Sequence, residues 1–413
     1  MRTGVILAAG LGSRIWPYAV IRPKVMIPIA NRPIISFAVD NMKAAGIRRI
    51  IIAAGPFSEQ IVNYFRADNS VEVIKVEATK GTADTLTRIF EKIDDNELLI
   101  LYGDTVVESD DLRLLLSKYK ENGNAVLVTP LDGEISRDWI CLTMQNGYVS
   151  SIVGHPRGGV THRFCAFALN REIFPSIVRN SGIFTSVEVG MMPPVESYLE
   201  MSLYDFINDG GKIASLETQH AFLDIDKPWH ILMANYLVLK TLCRALTKNE
   251  LAEGASIDTT ADIRGFVKLG RGSRIGRNVT IKGNLIAGDN TVIENGALIN
   301  GNAIIGSNSY IGNYCMLSDS SAIGDHSVLS HCAELDGIIM DNVYLYHYME
   351  FYGIIGSHTD LGAATVCGTL RFDDGDTIHR IKGRKEHPQY YSNASFLGDY
   401  ARTGVNAIIM PGC

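Results

Sequence analysis

The chain has 413 residues, 46 % of them hydrophobic and 20 % charged, with a formal net charge of −7. That length exceeds what one hydrophobic core usually organises, so two domains are expected, and the composition excludes a disordered chain. The acidic balance argues against nucleic acid as a partner, no run is long enough to span a membrane, and seven scattered cysteines without a Cys-x-x-Cys pair read as reduced thiols of a cytoplasmic protein rather than a disulfide or zinc framework.

In chain order, β-branched runs predict strands over 4–9, 48–54, 71–76, 97–102 and 125–130, with segments of helical period between them. Ile34, Phe37, Ala38, Asn41, Met42 and Ala45 recur at helical spacing, and Gly46 stands where a helix stops. Such alternation predicts an α/β, Rossmann-like domain over 1–225 with a mainly parallel sheet, whose ligands bind at the carboxyl ends of its strands. A linking helix is predicted within 226–253, with Asp226 as its cap, Pro228 in its first turn, and a face of Trp229, Met233, Tyr236, Leu237 and Lys240. From residue 254 to 413 the statistics change. Fourteen positions from Ile257 to Leu335 stand at a period of six, and thirteen of them are Ile or Leu, Ala287 being the exception. That spacing predicts a left-handed parallel β-helix of hexapeptide repeats, with three six-residue edges per coil. Asp341 breaks the register and the period resumes two residues late at Val343, Met349, Ile355 and Leu361, so a two-residue bulge is predicted near 336–342.

Directly after the first strand comes Leu7-Ala8-Ala9-Gly10-Leu11-Gly12-Ser13-Arg14, followed by Arg22-Pro23-Lys24. Glycines at a strand end let backbone N–H groups approach phosphate oxygens, while Arg14 and Lys24 supply charge for a departing pyrophosphate. The motif is neither a dinucleotide fingerprint nor a Walker loop.

On these residues the chain resembles the sugar-1-phosphate nucleotidyltransferases, whose signature is G-x-G-[ST]-R followed by P-K. The resemblance implies that Leu7, Ala8, Gly10, Gly12 and Ser13 line the nucleotide, and that Arg14 and Lys24 act on its phosphates. It implies that Gly81 and Thr82 belong to a base-recognition loop, Gly81 approaching the base. It implies that Asp104 in Tyr-Gly-Asp and Asp224 in Asp-Ile-Asp place Mg²⁺. The substrates are then a nucleoside triphosphate, UTP or dTTP, and a sugar-1-phosphate. Their reaction needs no general base, because the attacking phosphate oxygen is already ionised.

The sugar side departs from the family pattern. The Glu-Lys-Pro that grips sugar and phosphate is Gly154-His155-Pro156 here, leaving His155 as a conditional substitute for lysine, while Gly147 matches a backbone contact to sugar. This departure raises the alternative of a regulatory or scaffold subunit that binds a nucleotide sugar without making one; the retained Arg14, Lys24, Asp104 and Asp224 oppose it.

The second half resembles the acetyltransferase domain of bifunctional N-acetylglucosamine-1-phosphate uridyltransferases and their archaeal relatives, through Leu361–Thr365, Leu370–Asp373, Ile381–Gly383 and Gly398–Gly412. In that family a β-helix histidine deprotonates a sugar amine attacking acetyl-CoA. The corresponding place falls on Tyr346, with His347 beside it, and His326 is a third candidate, one coil earlier on about the same face. The same resemblance implies a homotrimer or a dimer of trimers.

Overall fold

The computed structural model describes residues 1–131, 136–183 and 196–413. Its first sheet has nine strands in the spatial order Val71–Lys75, Arg49–Ala54, Thr3–Ala8, Glu97–Tyr102, His162–Asn170, Ala125–Pro130, Ala214–Glu217, Tyr148–Gly154 and Ile140–Gln145. The first four are mutually parallel, as the alternation predicts. His162–Asn170 then runs antiparallel to both of its main neighbours, and Tyr148–Gly154 is antiparallel to both of its own, so the sheet is mixed rather than mainly parallel. Ile140–Gln145 also pairs with His162–Asn170, which closes the last five strands into a ring.

Burial explains why the parallel strands read as unbroken apolar runs. Val5 and Leu7 enter one core with Ile51 and Ile100; Ile6 and Ala8 enter the opposite core with Ile50, Ile52 and the helix residues Ile35, Val39 and Met42. Both faces are covered, so the alternation seen in half-solvated strands disappears. The predicted crossover helix is Ile34–Ala44, and Gly46 beyond it has φ +97°, a left-handed stop.

The repeat region winds into parallel coils. Arg274–Ile275 pairs with Val292–Ile293, then with Tyr310–Ile311, Val328–Leu329 and Tyr344–Leu345. The predicted inward aliphatics from Leu269 through Ile275, Ile281, Ile293, Ile299, Ile305, Ile311, Leu317, Ile323 and Leu329 to Leu335 are buried in one core, Ala287 among them. Corner amides are satisfied by a column of side chains: Asp289 accepts from Arg271 N–H, Ser307 Oγ from Asp289 N–H, Asp325 from Ser307 N–H and Asp341 from Asp325 N–H.

The irregularity is a shortening, not the predicted bulge. Glu334–Ile339 pairs residue for residue with Glu350–Ile355, a repeat of 16 residues where earlier coils take 18. Both strands run six residues straight through a corner, and the inward set becomes Leu335, Ile339, Leu345, Phe351, Ile355 and Leu361. Val343 and Met349 are also buried, but at corner positions, which is why the sequence period seemed to resume on them. Gly337 and Gly353, with φ +140° and +131°, make the continuous corner possible.

The chain divides into two compact units that do not follow its linear halves: Met1–Leu11, Arg22–Met26 and Ile34–Asp224 form one, while Gly12–Ile21, Ile27–Pro33 and Ile225–Cys413 form the other. The two short N-terminal segments join the second unit through specific bonds. Tyr18 Oη donates to the Ile354 carbonyl at 3.0 Å, and Asn235 accepts from Ala30 N–H while its Nδ2 donates to the Ser320 carbonyl. The linking helix is Pro228–Arg244, and the first coil strand, Glu250–Leu251, follows within a few residues. Its N-cap is Lys227 without a side-chain cap bond, so Asp226 does not cap it. Of the predicted face only Trp229 is buried; Ile231, Leu232, Asn235, Val238 and Leu239 turn inward instead, because the docking of Asn235 sets the helix rotation.

Candidate functional site

The glycine-rich loop leaves the strand Thr3–Ala8, in which Leu7 and Ala8 are buried. A Cβ on Gly10 would meet nothing within 4 Å, so the backbone there faces open space, as close approach by a phosphate requires. Gly12, at φ +63°, makes the turn. Ser13 and Arg14 follow on the exposed side. Arg14 Nη2 pairs with Asp226 Oδ1 at 3.1 Å within the second unit.

In the first unit Lys24 Nζ donates to Asp104 Oδ2 at 2.6 Å. Gly103 beneath this pair donates its N–H to the Leu7 carbonyl, which locks the Tyr-Gly-Asp segment over the first strand. Asp224 arrives by a two-residue antiparallel ladder, Leu223 opposite Val106 and Asp224 opposite Thr105. Asp104 directly precedes Thr105, so the ladder brings together two acidic segments whose aspartates lie 120 positions apart in the chain. Each carboxylate is also held by a cation, Asp104 by the partly buried Lys24 and Asp224 by the buried Arg163 at 3.2 Å. Two hard-oxygen donors, one in the ladder and one in the turn just before it, suit Mg²⁺ chemically. The two cations balance the charge of the two carboxylates.

Arg163 has no motif to announce it. It sits in an apolar strand, its guanidinium 4.2 Å from the Trp139 ring centroid and 4.7 Å from that of Phe222. Buried between aromatic faces, it orients Asp224 from behind. Gly81 shows a different reason for glycine than the one the resemblance implied. A Cβ there would lie 2.5 Å from the Ser197 carbonyl oxygen, so the close approach is to the 196–199 segment. Thr82 Oγ1 accepts from Leu199 N–H and ties the same segment down.

The two sugar-side candidates separate. Gly147 and Asn146, both at positive φ, form the two-residue turn into Tyr148–Gly154, and His155 follows at that strand's other end. Eight extended residues span roughly 25 Å, so one sugar cannot touch both. Gly147 is therefore a hairpin-turn glycine. His155 stays near the acidic segments: its N–H donates to the Trp139 carbonyl, and the Trp139 ring carries Arg163. His155 Nδ1 lies 3.0 Å from the Arg137 carbonyl, while Nε2 is buried with no hydrogen-bond partner among the described residues. The sequence reading missed a carboxylate on this side. Glu200, fully buried at the start of the helix Leu199–Asn208, accepts from Tyr102 Oη at 2.5 Å, and burial pushes its carboxyl up to about 6. Its Oε2 has no partner among the described residues. A lone glutamate far from the motif gave no sequence signal.

On the β-helix the three candidates occupy two corners. His347 stacks on His331 of the preceding coil at 5.0 Å between centroids, with Tyr348 edge-on to both; Tyr346 lies on the same edge and contacts Tyr344. His326 belongs elsewhere. It takes φ +55° in a corner column with Asn308, Asn342 and His358, so it does not share the face of Tyr346. The shortened coil, counted as a bulge, caused that misplacement. His331 was overlooked because its stacking depends on the 16-residue repeat.

Comparison with known proteins follows this division. A nucleotidyl transferase family model matches residues 3–138 and a bacterial transferase hexapeptide model, of six repeats, matches residues 288–319. The chain is 32 % identical over 427 residues to the bifunctional protein GlmU of Methanococcus maripaludis strain C7, covering 99 % of this chain and 90 % of that one. It is 25 % identical over 421 residues to the bifunctional sugar-1-phosphate nucleotidylyltransferase/acetyltransferase of Sulfurisphaera tokodaii, covering 98 % and 92 %. A solved UDP-glucose pyrophosphorylase complexed with UDP-glucose shares the fold, with a TM-score of 0.51 and 16 % identity over 58 % of this chain and 99 % of that one. With both halves matched, in order, by a relative of this similarity, the chain belongs to the GlmU-like family of bifunctional sugar-1-phosphate nucleotidyltransferases with a hexapeptide-repeat domain.

Proposed function

We propose that the chain joins a nucleoside triphosphate to a sugar-1-phosphate, releasing pyrophosphate. The observation that carries this is the convergence of Lys24, Asp104, Asp224 and Arg163 at the end of the first strand's sheet. The ionised sugar-phosphate oxygen forms a bond to the α-phosphorus, and the bond from that phosphorus to the β-phosphate's bridging oxygen breaks with its electrons leaving on pyrophosphate. Asp104 and Asp224 would hold Mg²⁺, which supplies charge neutralisation on the phosphates when bound. Arg14 and Lys24 bind the leaving group's charge, and Gly10 gives the backbone access to it. Arg163 fixes the orientation of Asp224. His155, with a buried unpartnered nitrogen, is the group offered to the sugar phosphate, and Glu200 is the carboxylate nearest to replacing the family's missing glutamate.

The β-helix winds left-handed and carries the acyl-transfer site, for which the stacked His331–His347 pair is the proton acceptor and acetyl-CoA the co-substrate. Leu370, Phe372, Val405, Ile408 and Met410 are exposed on its late coils, an apolar surface suited to a homotrimer or a dimer of trimers. All seven cysteines are free thiols, as a reducing cytoplasm permits, and no helix among the described residues is long and apolar enough to cross a membrane. The test is pyrophosphate release from UTP and dTTP against a panel of sugar-1-phosphates, with and without Mg²⁺. Release from a common hexose- or hexosamine-1-phosphate supports the reading; binding of nucleotide with no release from any sugar phosphate returns the scaffold alternative.

A further inference from the structure

The strand Glu350–Ile355 is covered by two different returns of the chain: Glu350 pairs with Val366, 16 residues on, but its second half does not. Gly353 pairs with Ser395, a span of 42 residues, and the extra chain folds as a hairpin of His379–Ile381 and Arg384–Glu386. The hairpin lies back on the start of the linking helix, where His379 packs on Trp229 with ring centroids 5.4 Å apart. There Glu386 Oε2 is 3.5 Å from Lys227 Nζ, Lys227 Nζ is 3.4 Å from Asp226 Oδ2, and Asp226 Oδ1 is 3.1 Å from Arg14 Nη2. Glu386, Lys227 and Asp226 are 7 %, 4 % and 5 % exposed.

We propose that Glu386 is a positioning residue for Arg14, acting through this relay of alternating charges and so tying the β-helix insertion to the orientation of that guanidinium. Buried charges persist only when each is paired. With Glu386 present, Lys227 divides its charge between two carboxylates and Asp226 keeps one oxygen for Arg14. Neutralising Glu386 leaves Lys227 with Asp226 as its one remaining carboxylate in the relay, and the draw on Asp226 loosens its hold on Arg14. Arg384, 3.4 Å from Glu386, is itself a cation and cannot stand in for the lost carboxylate. The rest of the loop is already moored to the same unit, since Tyr18 is bonded to Ile354 and Pro17 packs against Gly398. The relay therefore governs the guanidinium rather than the path of the backbone. This inference rests on the reading that Arg14 grips the triphosphate.

The test uses the full chain, with UTP and dTTP titrated by calorimetry and pyrophosphate release measured alongside. Glu386→Gln is expected to weaken nucleotide binding by about 5- to 20-fold, with KM for the nucleotide rising more than kcat falls. In an Arg14→Ala background the same change should add nothing. The double variant Lys227→Met with Glu386→Gln, which leaves no buried charge of the relay unpaired, should recover most of the affinity, and it also carries the comparison if Glu386→Gln alone fails to fold. Wild-type affinity in Glu386→Gln, an undiminished loss in the Arg14→Ala background, or a double variant as weak as Arg14→Ala each overturns the relay. Any of these with normal wild-type turnover leaves nucleotidyl transfer standing, whereas a wild type that releases no pyrophosphate overturns that reading instead.

Discussion

At the scale of single residues, the site is built from charges that are already paired. Lys24 and Asp104 hold one another at 2.6 Å, so Asp104→Ala removes the proposed metal ligand and also releases Lys24 from its orientation. We expect kcat to fall by at least ~10²-fold, the scale of losing one preorganised charge partner. Unchanged turnover would remove Asp104 from the chemistry. Glu200 gives a pH signature. Burial raises its carboxyl from 4.5 to about 6, so the folded state holds this proton more tightly than the unfolded one. Its favourable contribution is complete below about pH 4.5, is lost as pH rises through about 6, and stays lost above. Glu200→Gln keeps an oxygen for Tyr102 and has no proton to lose. The variant should gain about 2 kcal/mol on wild type between pH 4 and pH 7, read as the difference of two urea-unfolding series. Parallel series at both pH values would show that Glu200 titrates normally.

At the scale of elements, the shortened coils depend on two glycines stacked in one corner. A Cβ on Gly353 would lie 2.0 Å from the Ser395 carbonyl oxygen, and its φ of +131° strains any other residue. Gly353→Ala should therefore cost more than about 2 kcal/mol in unfolding free energy, well beyond a surface substitution. A variant within about 0.5 kcal/mol of wild type would mean that the corner relaxes freely. The same element explains an error of reading. The spacing of Val343, Met349, Ile355 and Leu361 is regular in sequence, yet two edges each shortened by two residues, Leu335 to Ile339 and Phe351 to Ile355, bring a period of six to the same phase as one two-residue bulge. The pairing of Gly337 with Gly353 distinguishes them.

At the scale of the whole molecule, the second unit includes Gly12–Ile21 and Ile27–Pro33. Ile15, Tyr18, Ile27 and Ile29 are fully buried. Deleting residues 255–413 would remove Ile354, which holds Tyr18, and Ser320, which holds Asn235, so the remaining piece should lose nucleotide affinity as well as assemble into a smaller oligomer. Calorimetry and sedimentation of the truncated and full chains check the two effects separately. A truncated chain that binds UTP or dTTP at full strength would mean the loop orders itself. A monomeric full-length chain would sink the trimer.

Much was legible in the sequence, for physical reasons that differ by element. The period of six required a coil with three edges, since neither helix nor pleated strand repeats at that interval, and the glycine loop with Arg14 and Lys24 named its chemistry through residue types and spacing. Those signals are local. What the tertiary structure decided is everything that depends on distant segments meeting: the ladder that sets Asp224 opposite Thr105, Arg163 behind it, Glu200 beneath Tyr102, and the separation of Gly147 from His155. The rotation of the linking helix was set by Asn235 bonding to two remote segments, a preference its own amphipathic pattern did not carry. A lone buried charge has no period and no motif, because its partner lies a hundred residues away and only the packed chain brings the two together.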